Sequence, residues 1–286
     1  MLTYKTLVDE GTLQIYSQSE TPRIDAEFLI MHVTGQSMAW YIAFGDSLAM
    51  PDHAKSFYDL IARRSQGEPI AYLIGHRDFW TLNLKVNKNV LIPRPDTETL
   101  VEGALECLQI GTDTHLRMLD LGTGSGAIAL ALAKEHKNAN VVATDNQSAA
   151  LDVAKSNAIH NVINNVEFRQ GSWFDAINDD ERFDLIASNP PYIEPDDAHL
   201  NSGDLRFEPI SALVADKVGM SDLECIIETA PNFLTAHAWL IVEHGYNQAE
   251  RVSQLFASNG FNNIELLNDI NNLPRCTRGQ LTQPTS

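Results

Sequence analysis

Two clusters in this chain combine residue types and spacing suited to chemistry. The first is Asp120-Leu-Gly-Thr-Gly-Ser-Gly126, which follows an apolar run and opens a helical pattern. Gly122, Gly124 and Gly126 let the backbone pass close to a ligand, with positive φ allowed and no Cβ in the way. Thr123 and Ser125 belong to the same loop. A second apolar run ends at Asp145, 23 residues after Gly122. A carboxylate at that distance suits the two hydroxyls of a ribose, because it accepts both hydrogen bonds. The spacing is G-x-G-x-G and not the G-x-G-x-x-G of a dinucleotide site, where a helix N-terminus faces a pyrophosphate. S-adenosyl-L-methionine has no phosphate and fits this pattern, although the loop alone leaves a dehydrogenase open. Asp120 is placed either to bind the amino group of such a ligand or to shape the loop. Trp173, in Gly171-Ser-Trp-Phe174, is placed to lie along an adenine ring or to pack in the core beside Phe174.

The second cluster is Ser188-Asn-Pro-Pro-Tyr-Ile193, the most specific signal in the chain. Two prolines fix φ, remove two donors and push Asn189 out of the helical region, which makes a stiff turn. The Asn189 side-chain oxygen and the Pro190 carbonyl can accept both hydrogens of a planar –NH₂ group, beside Pro191. Tyr192 can cover its flat face. An amide nitrogen is a poor nucleophile because its lone pair is delocalised. Orientation and electrostatic assistance are therefore the effective devices, with no strong base needed before transfer.

These clusters need elements to hold them. Residues 1–75 read as short helices, with apolar residues at helical spacing from Leu7 to Ile15, at Ala26, Phe28, Leu29, Ile30 and Val33, and at Phe57, Leu60 and Ile61. Pro22 and Pro51 mark helix starts. Residues 76–95 read as a hairpin linker: alternation over Phe79–Val86, a turn at Asn87–Asn89, then Val90–Ile92. From residue 96 to 286 the rhythm becomes strand, helix, strand. Strands are expected at Leu116–Leu121, Asn140–Thr144, Val166–Arg169, Phe183–Ser188 and Ala238–Glu243. Helices are expected at Thr97–Leu108, Ala127–His136, Ala149–His160, Asp222–Phe233 and Asn247–Ser258. Such alternation predicts an α/β, Rossmann-like fold with a mostly parallel sheet, whose ligands bind at the carboxyl ends of the strands.

Composition narrows the classes further. The 286 residues carry a net charge of −18, and residues 1–85 hold 7 Lys+Arg against 10 Asp+Glu, so the rest accounts for −15. A surface that neutralises phosphates is normally basic, which weighs against a nucleic-acid partner. No apolar run reaches a membrane span, and Asp9 and Glu10 stand where a secretory signal would be apolar. The three cysteines, 107, 225 and 276, form no C-x-x-C and suit a reducing cytoplasm. The nine histidines show no ligand spacing, so no metal is expected.

The chain resembles the HemK/PrmC family of release factor glutamine methyltransferases. Besides the two clusters, the likeness is carried by Pro22–Leu29, Arg63–Trp80, Leu91-Ile-Pro-Arg-Pro-Asp-Thr-Glu98 and Gly203–Leu213, and it spans residues 20 to about 265. The resemblance implies a class I S-adenosylmethionine-dependent methyltransferase, with residues 96–286 catalytic and a small N-terminal helical domain that docks the protein substrate. It implies cofactor binding by Gly122 to Gly126, Asp145, Trp173 and Asn189, with S-adenosyl-L-homocysteine as product. Asn189, Pro190, Pro191 and Tyr192 would hold the glutamine of a class-1 peptide chain release factor, with Asn189, Pro190 and Tyr192 in the catalytic roles. Arg94, Glu98 and Glu208 flank the pocket by the same likeness. A cytoplasmic monomer is expected, acting on neither nucleic acid nor membrane. The rivals are a ribosomal-protein glutamine methyltransferase, a nucleic-acid base methyltransferase acting on unstacked bases, and a cofactor-binding module or dehydrogenase, against which the intact Asn189–Tyr192 turn argues.

Overall fold

The structure is a computed structural model that describes residues 2–108, 115–201 and 203–282. It divides into two compact units, Met1–His76 with Ala198–Phe207, and Arg77–Asp197 with Glu208–Ser286.

The first unit is helical: α1 (Tyr4–Ile15), α2 (Pro22–Thr34), α3 (Met38–Phe44), α4 (Pro51–Arg64) and α5 (Ile70–Ile74). Pro22 and Pro51 occupy the first turns of α2 and α4, where a missing N–H costs nothing. The Thr3 and Ser37 hydroxyls cap α1 and α3 by accepting from Thr6 N and Trp40 N. The expected periodicity is realised in a core of Leu7, Val8, Ile15, Leu29, Ile30, Phe57 and Ile61, while Phe28 lies on the exposed side. A buried ion pair, Arg64 Nε to Asp25 Oδ2 at 2.8 Å, ties α4 to α2. Arg64 also reaches Asp204 at 3.6 Å, and Arg206 donates to the Gln66 carbonyl at 2.8 Å. Residues 198–207 thus pack with the helices, although the strand–helix rhythm assigned them with the rest of 96–286.

The second unit opens with a hairpin of β1 (His76–Phe79) and β2 (Leu82–Lys85). The hairpin closes at Trp80-Thr81; Asn87–Asn89 is a turn as expected, with Val90 N donating to the Asn87 carbonyl at 3.1 Å, but Val90–Ile92 forms no strand after it. Trp80 sits at φ 55, held by donation from its backbone N to Glu98 Oε1 and from its indole to Glu135 Oε1, both at 2.8 Å. Neither residue of the turn has ordinary turn chemistry.

The main sheet contains β3 (Arg117–Leu121), β4 (Asn140–Asp145), β5 (Val166–Gln170), β6 (Phe183–Ser188), β7 (Leu234–Glu243), β8 (Phe261–Asn268) and β9 (Pro274–Leu281), in the order β5-β4-β3-β6-β7-β9-β8. The pairs from β5 to β7 are parallel, whereas β9 runs antiparallel to both β7 and β8. Around it lie α6 (Glu98–Cys107), α7 (Ala127–Glu135), α8 (Ser148–His160), the short α9 (Asp216–Gly219), α10 (Ser221–Thr229) and α11 (Ala249–Ser258). One apolar cluster joins α6 and α7 to Met118, Val141 and Ile241; the other joins α10 and α11 to Leu119, Ile186 and Leu240. The alternation of side chains along each strand feeds both. Helix α10 stops at Thr229, earlier than expected, because Pro231 falls in a following 3₁₀ turn. The five expected strands are present, and β8 and β9 are additions.

Candidate active site

Strand register brings the two clusters together. Leu121 of β3 pairs with Thr144 of β4 on one side and with Ser188 of β6 on the other. The next residues, Gly122, Asp145 and Asn189, therefore emerge side by side at the carboxyl edge. Ser188 Oγ locks the β3–β6 edge by donating to the Leu121 carbonyl at 2.8 Å. Above this edge is a cavity lined by Gly122, Gly124, Asp145, Trp173, Asn189 and Pro191, with Val90, Ser211 and Asp222 on further walls.

The glycine loop takes its shape from three left-handed residues: Gly122 at φ 71, Gly124 at φ 56 and Gly126 at φ 85. A side chain at each would be strained by about 1–2 kcal/mol. A Cβ on Gly124 would meet nothing, which leaves the loop open there, whereas on Gly126 it would press Leu130 and Ala154 at 3.1 and 3.2 Å. Thr123 and Ser125 point into the protein and are buried. Thr123 Oγ1 donates to Asp120 Oδ2 at 2.6 Å, and the same oxygen accepts from Ala129 N at 3.1 Å at the start of α7. Asp120 thus shapes the loop from below. Its Oδ1 has no partner, and burial raises its pKa to about 7. Asp145 is oriented by two backbone donors, Gly124 N to Oδ2 and Gln147 N to Oδ1, both at 2.9 Å. Each oxygen keeps a lone pair, and burial outweighs these bonds to raise its pKa.

Trp173 follows β5 at φ 47, with its ring beneath Gly122: a Cβ there would sit 3.1 Å from the indole. It combines a cavity wall with partial packing against the second core.

The Asn-Pro-Pro-Tyr turn is gripped on several sides. Asn189 Nδ2 donates to Thr97 Oγ1 at 3.2 Å, which ties up the donor end of the carboxamide. Pro190 is buried. Ile193 pairs with the strand-like 213–215 segment, with N–O distances of 3.0 Å to Leu213 and from Ala215. Gln248 Nε2 donates to the carbonyls of Tyr192, Val218 and Gly219 at 3.2–3.3 Å. Tyr192 does not extend over the cavity in this structure. Its hydroxyl instead donates to Glu243 Oε1 at 3.1 Å, and burial followed by the Glu243 charge raises its pKa.

Glu243, at the end of β7, is 1% exposed. Burial raises its pKa to about 7, with Thr97, Arg275 and Tyr192 acting in the opposite direction. Its signal in the sequence is the one that marks Asp145: an acidic residue closing a buried parallel strand. Arg94 and Glu208 form an ion pair, and Glu208 Oε2 accepts from Ile92 N at 3.0 Å, which fastens the segment carrying Val90 to the cavity. Glu98 serves the Trp80 turn. Asn157, wholly buried on α8, donates to the Ser125 carbonyl at 2.8 Å and bonds both backbone groups of Lys85.

Among the described residues no group of histidines, cysteines and carboxylates could hold a metal, and no helix could cross a membrane. The donor set at the cavity is a carboxylate, open glycine backbone and an aromatic ring. That fits a nucleoside with a free ribose, joined to a group that reaches Asn189.

Comparison with known proteins agrees with this geometry. The methyltransferase domain family matches residues 112–281, and the PrmC N-terminal domain family matches residues 7–75. The release factor glutamine methyltransferase of Yersinia pestis is 48% identical over 265 residues, 93% of this chain and 94% of that one. That of Aliivibrio fischeri is 46% identical, covering 92% and 91%, and that of Escherichia coli K12 is 43% identical, covering 99% and 100%. A methyltransferase crystal structure from Pyrococcus furiosus shares the fold, with a TM-score of 0.53 at 17% identity over 77% of this chain and 96% of that one. With such identity over nearly the whole of both sequences, the chain belongs to the release factor glutamine methyltransferase family.

Proposed function

We propose that this protein transfers one methyl group from S-adenosyl-L-methionine to the side-chain amide nitrogen of the glutamine in the Gly-Gly-Gln motif of class-1 release factors. The observation that carries the reading is the polarity of Asn189. With Nδ2 committed to Thr97, its Oδ1 is the end left to accept from an incoming –NH₂ group beside the Gly122 loop.

The bound cofactor supplies an electrophilic methyl on a sulfonium. The chain's own residues do the rest. Asp145, held by Gly124 and Gln147, accepts from the ribose hydroxyls, while Gly122 and Gly124 admit the ligand backbone closely and Trp173 walls the nucleoside. Asp120 and the buried hydroxyl of Thr123 keep the loop in shape. Asn189 Oδ1 and the Pro190 carbonyl accept both amide hydrogens. That draws electron density to the nitrogen and turns its lone pair toward the methyl. The amide proton leaves after transfer, when the nitrogen has become acidic, so no strong base is required. Pro191 and Tyr192 complete the acceptor site, with Tyr192 as its rear anchor through its hydroxyl bond to Glu243.

Residues 1–75 serve docking of the protein substrate, since they carry no reactive constellation and belong to the separate helical unit. The net charge of −18 favours a basic protein loop over a phosphate-bearing acceptor. A cytoplasmic monomer suits this substrate. The test is incubation of purified release factor with enzyme and cofactor, followed by peptide mass mapping. One added methyl on the Gly-Gly-Gln glutamine, absent when that glutamine is changed to alanine, is expected. Methylation of a ribosomal protein or nucleic-acid base with the release factor untouched would reject the reading. A chain starting near residue 86 should bind cofactor yet methylate the whole release factor poorly; equal activity would remove the docking role.

A further inference from the structure

Asn157 is wholly buried on α8, and its carboxamide is engaged by backbone at both ends. Oδ1 accepts from Lys85 N at 2.7 Å, and Nδ2 donates to the carbonyls of Lys85 at 3.0 Å and of Ser125 at 2.8 Å. One turn further on, Asn161 repeats part of this pattern. Its Oδ1 accepts from Asn83 N at 3.3 Å and its Nδ2 donates to the Asn83 carbonyl at 3.0 Å. Four residues of helix rise about 6 Å and two residues of strand about 6.6 Å. The two carboxamides thus act as a strand edge for β2. They differ in the remaining hydrogen: Asn161 gives it to the Asn157 carbonyl of its own helix, whereas Asn157 gives it to the glycine loop. Ser125 lies between Gly124 and Gly126, and its carbonyl is left out of α7. The N–H four residues on, that of Ala129, donates instead to Asp120 Oδ2.

Both ends of this link lead to the cavity. Lys85 ends β2, and the chain that leaves it supplies Asn89, Val90 and Leu91 to one wall. Gly124, next to Ser125, lines the same cavity and donates to Asp145 Oδ2. We propose that Asn157 is a positioning residue for the cofactor, holding the Ser125 carbonyl against β2 so that the glycine loop has its binding shape before the ligand arrives. Glycine loses more conformational freedom on ordering than any other residue, and glycines alternate along this loop. An unheld loop would lose that freedom on binding, and affinity would fall accordingly; Asn157 has already ordered it in the folded protein. Such coupling is reciprocal. A ligand that steadies the loop therefore steadies the bonds between Asn157 and Lys85 as well.

This inference rests on S-adenosyl-L-methionine as the cofactor, and the experiment separates the two. Wild type, Asn157→Leu and Asn161→Leu are compared, with S-adenosyl-L-methionine affinity measured by calorimetry and stability by urea unfolding. Leucine keeps roughly the bulk of asparagine and removes its hydrogen bonds. Asn161→Leu breaks the same ladder to β2 without touching the loop, so it reports what lost structure alone does. Asn157→Leu should raise the cofactor Kd about tenfold, the scale of one preorganising hydrogen bond. Asn161→Leu should lose stability yet keep Kd within about twofold. A second measurement uses the wild type alone: amide exchange followed by NMR with and without S-adenosyl-L-methionine. The Lys85 N–H reports its bond to Asn157, and the Asn83 N–H reports its bond to Asn161. Cofactor should slow exchange at Lys85 about fivefold more than at Asn83. An unchanged Kd in Asn157→Leu, equal Kd losses in the two variants, or equal slowing at the two amides would overturn the proposal. If Asn157→Leu fails to fold, the exchange comparison decides. A wild-type chain that binds no S-adenosyl-L-methionine would instead reject the functional reading itself.

Discussion

Gly219 offers a sharp test of how the acceptor turn is held, because it lies outside the cavity lining and acts only through contact. It sits at φ 71, and a Cβ there would overlap the Tyr192 carbonyl outright and stand 2.7 Å from Gln248 Nε2. Gly260 is in the same unit at φ 84, but a Cβ on it would meet nothing within 4 Å. Gly260→Ala therefore isolates the left-handed backbone cost, about 1–2 kcal/mol. Gly219→Ala adds an overpacking term of about 1–3 kcal/mol, for a total of about 2–5 kcal/mol. The obstacle is backbone on one side and a three-way hydrogen-bond clamp on the other, so neither yields freely. Urea unfolding of each variant gives the stabilities, and turnover on release factor gives the function. Gly219→Ala should lose more stability than Gly260→Ala and should also lower kcat, since displacing the Tyr192 carbonyl moves a turn that begins at Asn189. Equal stability losses, or normal turnover in a destabilised Gly219→Ala, would refute the claim that Gly219 and Gln248 support the turn.

Asn189→Ala should remove about 10²–10³-fold in kcat, the scale of one lost electrostatic partner, with cofactor affinity by calorimetry nearly unchanged; a normal rate would remove the turn from the chemistry. Asp145→Ala should weaken cofactor binding by about 1–3 kcal/mol, which is about 5- to 150-fold in Kd, and an unchanged Kd would contradict the ribose assignment. Burial raises the folded pKa of Asp120 to about 7 from its ordinary value of 3.8, so the cofactor-free folded state holds its proton where the unfolded chain has lost it. Its stabilising contribution is full below about pH 4 and is lost as pH rises through about 7. Urea unfolding should show that decline, and Asp120→Asn should flatten it; an unchanged slope would show that Asp120 is ionised when folded.

The parts of the site most legible in the sequence were those that backbone geometry dictates. Alternating glycines signal alternating left-handed residues, and two prolines after an asparagine signal a stiff turn at a strand end. Helix starts at Pro22 and Pro51 were readable for the same reason. What escaped depends on long-range pairing. Nothing local marks Trp80 as a turn residue, since its conformation is held by Glu98 and Glu135. Strand β9 contains Pro274 and Gly279, residue types depleted in strand interiors, beside Arg275 and Arg278. Its charges are absorbed largely by partners distant in sequence: Arg278 by Glu106 and Glu265, and Arg275 by Asp96 besides the nearby Asp269. Gly279 is needed because a Cβ would stand 2.6 Å from the Phe256 ring. Strand β8 has no clean alternation, because its burial runs irregularly. The role of Tyr192 was read as a cover for the acceptor because no local signal announces Glu243 behind it.

The antiparallel insertion of β9 bears on the order in which the molecule can be assembled. β9 enters between β7 and β8, both of which precede it in the chain, and its Cys276 lies opposite Glu243. As the polypeptide emerges during synthesis, β3 to β6 can pair in turn, but the far edge of β7 stays open until residues 274–281 arrive. That edge carries Trp239-Leu-Ile-Val242, an apolar stretch suited to pairing with another nascent chain. The wall behind the acceptor turn, including Arg275, is the last part of the sheet to be laid down. A chain interrupted before β9 therefore has the glycine loop and the Asn-Pro-Pro-Tyr turn in full, yet lacks their backing, and it presents a sticky edge to quality control instead of a half-working enzyme.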